Sequence, residues 1–199
     1  STGNFFPLGL VNKESIGSVT INSGSGAAAN AAAGTYSGSV AASDATGGTF
    51  NANNYSINYL SNNITVQPVA LTITANNQSK KYGAINPGLS LSYSGFVAGD
   101  SPSNLTAQAV ATTVANTGSP VGTYPITVSG ASDANYTISY LNGTLTVGRA
   151  SLLITADDKT KTYGSANPSL TVSYSGFVNG EDKASLTSLP TPGTTAGNT

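Results

Sequence analysis

The chain has 199 residues, of which 8% are charged, and its formal net charge is −1; nothing in that balance offers the basic surface that a nucleic acid or an anionic membrane attracts. Cys, His, Met and Trp are all absent, which excludes disulfides, thiolate and imidazole metal sites, and the Ser-His and Cys-His nucleophile pairs. The length leaves room for one large domain or for about two to three small ones.

Self-similarity organises the chain. The segment LTITANNQSKKYGAINPGLSLSYSGFVAGD, beginning at Leu71, returns 81 residues later as LLITADDKTKTYGSANPSLTVSYSGFVNGE, beginning at Leu152. The register holds without a gap through Tyr82 and Tyr163, Asn86 and Asn167, Pro87 and Pro168, Phe96 and Phe177, and Leu105 and Leu186. ANNYSINYLSNNITV, around Tyr55, likewise returns as DANYTISYLNGTLTV around Tyr136, again 81 residues on. Gly34-Thr35-Tyr36 and Gly122-Thr123-Tyr124 stand 88 residues apart, so the first copy carries about seven extra residues. Residues 1–69 therefore read as the back part of a divergent repeat, 70–149 as a complete repeat and 150–199 as the front part of a third.

In chain order, FFPLGLVNKES loosely echoes SYSGFVAGDSP, and SGSGAAANAAAG is low in complexity. The extra residues fall near SDATGGTFNA, whose Gly and small polar residues predict a loop. Tyr55, Ile57, Tyr59, Ile64 and Val66 share one face of a predicted hairpin turning at Ser61-Asn62. Leu71, Ile73 and Ala75, and then Leu89, Leu91 and Tyr93, alternate with small polar residues as strands buried on one side do. After Gly99-Asp100 a turn or two of helix is expected through Ser103-Asn104-Leu105; no segment carries a helical apolar stripe of ten or more residues. Val121, Tyr124, Ile126 and Val128 predict a strand, and Pro125 within it favours a sheet edge. Tyr136–Leu141, Asn142-Gly143 and Thr144–Val147 predict a tight hairpin on a type I′ turn, with Tyr136, Ile138, Tyr140, Leu145 and Val147 on one face. The class is all-β: tandem small β-domains arranged as an elongated array, an immunoglobulin-like sandwich being the first topology and a β-grasp-like sheet the alternative. In so small a cysteine-free unit, buried apolar side chains supply most of the stability, at about 1.5–3 kcal/mol each.

The residues that invite a chemical reading have structural ones beside it. Asp157-Asp158 is an acidic pair, but successive strand residues point to opposite faces, and its counterpart Asn76-Asn77 is uncharged. Asp100, Glu181 and Asp182 follow the Phe-Val strand, where calcium binds in some domain junctions; without a dense Asp-x-Asp-x-Asp loop, a solvated loop at a helix start is the favoured reading. Asn54, Asn63, Asn77, Asn104, Asn135 and Asn142 begin Asn-x-Ser/Thr sequons, which a chain rich in Asn, Ser and Thr produces by composition. The tyrosines could form a sugar-stacking platform, but most recur at an offset of 81 in an inward register, which favours a core. Lys80 and Lys161 recur, and a lysine-to-asparagine isopeptide crosslink would need a buried acid beside them. No catalytic, cofactor-binding or metal-binding residue is assigned, no cofactor is expected, and the expectation is that the chain is not an enzyme.

Through its Tyr-Gly, Asn-Pro, Tyr-Ser-Gly-Phe-Val, Gly-Thr-Tyr and Asn-Tyr marks, in that order over about 70 to 187, the chain resembles the MBG family of adhesin repeats, with a first unit similar to the related YDG-type repeats. The resemblance implies large bacterial proteins, secreted or on the cell surface, in which such domains form stalks; its marks are fold marks. Residues 5 to 50 depart from the pattern. The chain opens at Ser1 with neither Met nor a basic-then-apolar leader, so either a signal was removed or this is a window from a longer polypeptide. The expected function is a structural stalk or spacer of a secreted adhesin or surface fibre. A filament subunit completed by strand exchange is the alternative, and a carbohydrate- or protein-binding module using Ala41 to Asn53 is the next. The expected partners are neighbouring repeats or identical subunits, with host or matrix glycans or proteins behind them, and neither nucleic acid nor membrane.

Overall fold

The computed structural model describes residues 5, 7–97 and 99–197; Phe6 and Ala98, which fall in two of the quoted motifs, lie outside the described residues. Twelve strands and four 3₁₀ turns make up the described secondary structure, with no α-helix among the described residues, so the class is all-β. The strands are β1 (Ile16–Ser23), β2 (Gly34–Gly48), β3 (Asn62–Val66), β4 (Val69–Ala75), β5 (Gln78–Lys81), β6 (Leu91–Ser94), β7 (Val110–Thr113), β8 (Gly122–Ser129), β9 (Tyr136–Leu141), β10 (Gly143–Gly148), β11 (Leu153–Ala156) and β12 (Val172–Ser175). The chain divides into two compact units: residues 1–72, 94–108 and 131–139, and residues 73–93, 109–130 and 140–199.

In the first unit β1, β2 and β3 form an antiparallel sheet in that order. The first part of the stretch expected to be a loop, residues 43–48, is strand instead, Ser43 and Thr46 of β2 pairing with Thr20 and Ser18 of β1, while residues 49–52 lie outside any strand as expected. The register slips between those pairs, and Asp44 there has a φ of 50°. A bulge thus takes up an extra residue inside the ladder. Leu71, Leu105 and Tyr136 are buried in this unit. Leu105 follows a 3₁₀ turn over Pro102–Asn104, where the sequence predicted a short helical segment; the Asn104 side chain accepts the Ser101 amide at 2.8 Å and closes a capping box.

The second unit holds the four-stranded sheet β5-β10-β8-β7 and the pair β11-β12. β10 runs parallel to β5 and antiparallel to β8, and Ile73, Ala75, Ala115, Ile126, Val128, Leu145 and Val147 are the buried apolar residues of this unit. β8 is an inner strand, not an edge. Pro125 is nevertheless tolerated, because it sits one residue past the last β7 pair, Thr113 with Ile126, where no ladder amide is required. A three-stranded sheet, β6-β4-β9, is built from strands whose residues run through both units.

The Asn-Gly hairpin does not form. β9 belongs to the sheet containing β4, and β10 to the sheet containing β8 and β5. Neither Asn142 nor Gly143 has the positive φ that a type I′ turn demands; the chain steps from one sheet to the other across Asn142. Gly143 is needed for a different reason, since a Cβ there would run into the Ala75 carbonyl oxygen. Asn142 Oδ1 accepts the Val128 amide, and Asn77 Oδ1 accepts the Thr144 amide at 2.8 Å, bracing the step on either side. The matching hairpin of the first repeat is also absent, for Ile57–Ser61 is irregular and β3 pairs with β2.

Candidate functional site

Corresponding positions in the repeats make corresponding contacts. Tyr136 donates its hydroxyl to the Asp100 carboxylate and accepts the Val97 amide at 3.3 Å, while Tyr55 donates to Glu14 and accepts the Val11 amide at 3.2 Å. Asp100 and Glu14 each close the same turn, their amides bonding to the carbonyls of Val97 and Val11 at 3.0 Å. The loose echo of the Phe-Val loop in the first repeat is therefore the same device. Loss of solvent, and then the Asp100 contact, push the Tyr136 phenol above its ordinary pKa; at Tyr55 the Glu14 contact is the main cause of a rise. Phe96 meets Tyr136 edge-on at 5.5 Å. Tyr93 and Tyr174 occupy the same position of equivalent strands, half-buried in both.

Asp157 braces its strand pair. It accepts from the hydroxyls of Ser173 and Thr171, and these bonds hold its carboxyl below the ordinary aspartate value. Its counterpart Asn76 donates to Ser90 at 3.0 Å and accepts from Ser92 at 2.7 Å, so an amide fills the same place without charge. The three loop acids are engaged separately: Asp100 by Tyr136, Glu181 by Tyr82, and Asp182 by the Ala184 amide. No group of three or more potential metal-binding side chains occurs among the described residues. Sequon asparagines brace backbone as well, Asn63 accepting from Gly38, Asn135 from Ala33, and Asn77, Asn104 and Asn142 as given above.

The recurring lysines form a clamp. Lys80 is buried and its Nζ donates to the main-chain carbonyls of Ala84 at 3.0 Å and Asn116 at 2.5 Å. Asn86 Nδ2 donates to the neighbouring carbonyl of Ala115 at 2.6 Å. Eighty-one residues on, Lys161 donates to the Gly197 carbonyl and Asn167 to that of Ala196.

Two clefts accompany these devices. In the first unit a cleft of about 370 Å³ is lined by Leu10, Ala45, Phe50, Tyr55, Ile57 and Tyr59, among others. Its tyrosine hydroxyls are turned to the protein, Tyr59 accepting the Ala45 amide at 2.9 Å and Tyr55 donating to Glu14. In the second unit a cleft of about 280 Å³ lies where the middle and third repeats meet, between Tyr82 and Arg149 on one side and Phe177, Val178 and Glu181 on the other. There Tyr82 donates to Glu181 Oε1 at 2.9 Å. Gly83 takes a φ of +82°, and a Cβ added to it would lie 2.5 Å from Val178 Cβ. Asn179 Nδ2 reaches the Thr117 carbonyl at 3.3 Å. Sequence reasoning noted Tyr82-Gly83 only as a recurring mark; the signal for a joint was a Tyr-Gly pair that recurs outside any inward-facing alternation.

No helix among the described residues is long and apolar enough to cross a membrane. No curated protein and no solved structure matches the chain. Residues 71–146 and 152–199 each match one family, the MBG domain of YGX type, and its naming feature is the Tyr-Gly pair found at the joint. With two copies covering more than half of its residues, this chain belongs to the MBG domain (YGX type) family.

Proposed function

We propose that the chain is a structural stalk or spacer from a secreted bacterial surface adhesin or fibre, and that it carries out no catalysis. The observation behind this reading is where its recurring polar groups go. The acids bond to tyrosines, Lys80 and Asn86 to main-chain carbonyls, and Tyr82 to the next repeat. Groups committed to the chain itself set shape and join neighbours; they are not held ready for a substrate. In such an array each repeat touches only its neighbours, and length is the product. Small-angle scattering tests this: lengthening the chain by whole repeats should increase the maximum dimension in proportion. A radius of gyration near the compact-globule value of about 2.2·N^0.38 Å would sink the reading.

Self-assembly by strand exchange is the second reading, and a specific contrast favours it. Leu71 and Ile73 are fully buried, whereas their third-repeat counterparts Leu152 and Ile154 are 36% and 40% exposed. In the first repeat, Ile57–Leu60 is irregular where its counterpart belongs to β9, beside β4. β11 of one copy has the residues to lie along Ile57–Leu60 of another, as strand addition does. Sedimentation at rising concentration should then show assembly that Ile154→Asp abolishes; a monomer at all concentrations removes this reading.

A further inference from the structure

Tyr163 and Gly164 are the third-repeat copies of Tyr82 and Gly83. They form the same turn, the Ser165 amide bonding to the Thr162 carbonyl at 3.1 Å as the Ala84 amide bonds to Lys81 at 3.1 Å. Their backbones match as well, with φ of +79° at Gly164 and +82° at Gly83. Two things differ: the strand leading in, since Gln78–Lys81 is β5 and the Tyr82 amide bonds to the Gly148 carbonyl at 2.8 Å while residues 159–162 lie in no strand, and the covering. Val178 closes over Gly83 and Glu181 receives the Tyr82 hydroxyl, whereas Tyr163 is 100% exposed and a Cβ on Gly164 would meet nothing within 4 Å.

The turn that covers Tyr82-Gly83 has a defined chemistry. It runs Val178-Asn179-Gly180-Glu181, positive φ at Asn179 and Gly180 bends it back, and the Glu181 amide closes it on the Val178 carbonyl at 3.0 Å. Valine supplies an apolar knob that fits only where the opposing residue lacks a Cβ. The carboxylate accepts the phenol through a charge-assisted hydrogen bond. In the middle repeat the Asp100 amide makes the same closing bond to the Val97 carbonyl, at 3.0 Å, and Val97 is exposed where Val178 is half-covered.

We infer that Tyr163-Gly164 is a docking site for a further repeat of the same family, which seats a Val-x-Gly-acid turn on it as Val178 and Glu181 sit on Tyr82-Gly83. This rests on the spacer reading and gives it a residue-level joint. Glycine admits the valine knob and tyrosine engages the acid, so the pair selects a further repeat over an unrelated loop. The glycine is irreplaceable here for the space it leaves as well as for its φ.

Nitration by tetranitromethane, followed tyrosine by tyrosine by peptide mass mapping, reads this contact. In the 199-residue chain Tyr163 should react several-fold faster than Tyr82, and Val178→Ser with Glu181→Gln should raise Tyr82 towards the Tyr163 rate. The chain is then extended after Thr199 by a copy of its own residues 119–199, which continues the 81-residue period. Tyr163 should fall to the rate of Tyr82, and should recover its reactivity when the appended copy carries Val178→Ser and Glu181→Gln. If Tyr163 stays fast in the extended chain while Tyr82 stays slow, the site is not used. If it is protected equally by the substituted copy, completion of the repeat and not the turn covers it, and the inference also falls. Scattering on the same extended chain reports shape independently, so a failed joint and a failed spacer are told apart.

Discussion

Tyr136 donates its hydroxyl to the carboxylate of Asp100, thirty-six positions earlier, and thereby ties the start of β9 to the turn after β6. The same hydroxyl accepts the Val97 amide, so one side chain satisfies a donor and an acceptor that would otherwise be left at the edge of the core. Tyr136→Phe keeps the ring against Phe96 but strands both groups, and should lower the melting temperature more than Tyr82→Phe, whose hydroxyl has a single partner. Equal effects would show that the ring alone matters.

Core truncation should separate the repeats. Ile73→Ala removes a fully buried side chain and is expected to cost about 2–5 kcal/mol in denaturant unfolding. Ile154→Ala, at the equivalent but exposed position, should cost well under about 1 kcal/mol. Comparable losses would mean that Ile154 is buried in solution.

The clamp gives a second contrast. Lys80→Met leaves the carbonyls of Ala84 and Asn116 without their donor in a buried setting, a cost of about 1–3 kcal/mol. Lys161→Met affects one exposed carbonyl and should be close to neutral. Hydrogen exchange should rise at Asn116–Ser119 in the first variant only.

The pH dependence follows from Asp157 and Asp133. Hydroxyls at Asp157, and chiefly the Asn135 amide at Asp133, hold both carboxyls below the ordinary aspartate value. A carboxyl whose folded pKa is depressed stabilises the fold above its unfolded pKa, and that contribution is lost as pH falls through the folded value. Carboxyl NMR titration should therefore place both midpoints below those of exposed aspartates. Asp157→Asn should keep β11 paired with β12, as Asn76 serves the same place, while removing its share of the acid sensitivity. Frayed β11 in that variant would show that the charge itself is required.

Gly143→Ala should destabilise the chain by about 1–3 kcal/mol, because its Cβ has no space beside the Ala75 carbonyl. Asn142→Ala should also be costly, through the Val128 amide it leaves. A type I′ hairpin would instead tolerate Asn142→Gly without loss, so that substitution discriminates directly.

The buried face of β4 was legible from the sequence, because alternation records it: Leu71, Ile73 and Ala75 are buried as their pattern predicts, whereas Ile57, Tyr59 and Tyr140, given the same inward register, are 38%, 39% and 37% exposed. Which strand lies alongside was not. Tyr136–Leu141 and Thr144–Val147 have the pattern of a hairpin, yet the same alternation serves a chain that passes from one sheet to another, and Asn-Gly suits a step as well as a turn. The stretch around Asp44 read as a loop because its glycines and small polar residues suit turns, but β1 offers it a partner. The joint was only half legible, since Tyr82-Gly83 declares its importance by recurring while its partner Glu181 lies 99 positions away.

The clamp fastens atoms that every residue possesses. Lys80 and Asn86 grip the main-chain oxygens of Ala115 and Asn116, and Lys161 and Asn167 grip those of Ala196 and Gly197; asparagine and glycine are thus interchangeable under the latch. Copies of the unit are free to drift in the strap they hold while the buckle stays fixed, so successive modules can acquire different surfaces without renegotiating how each one closes.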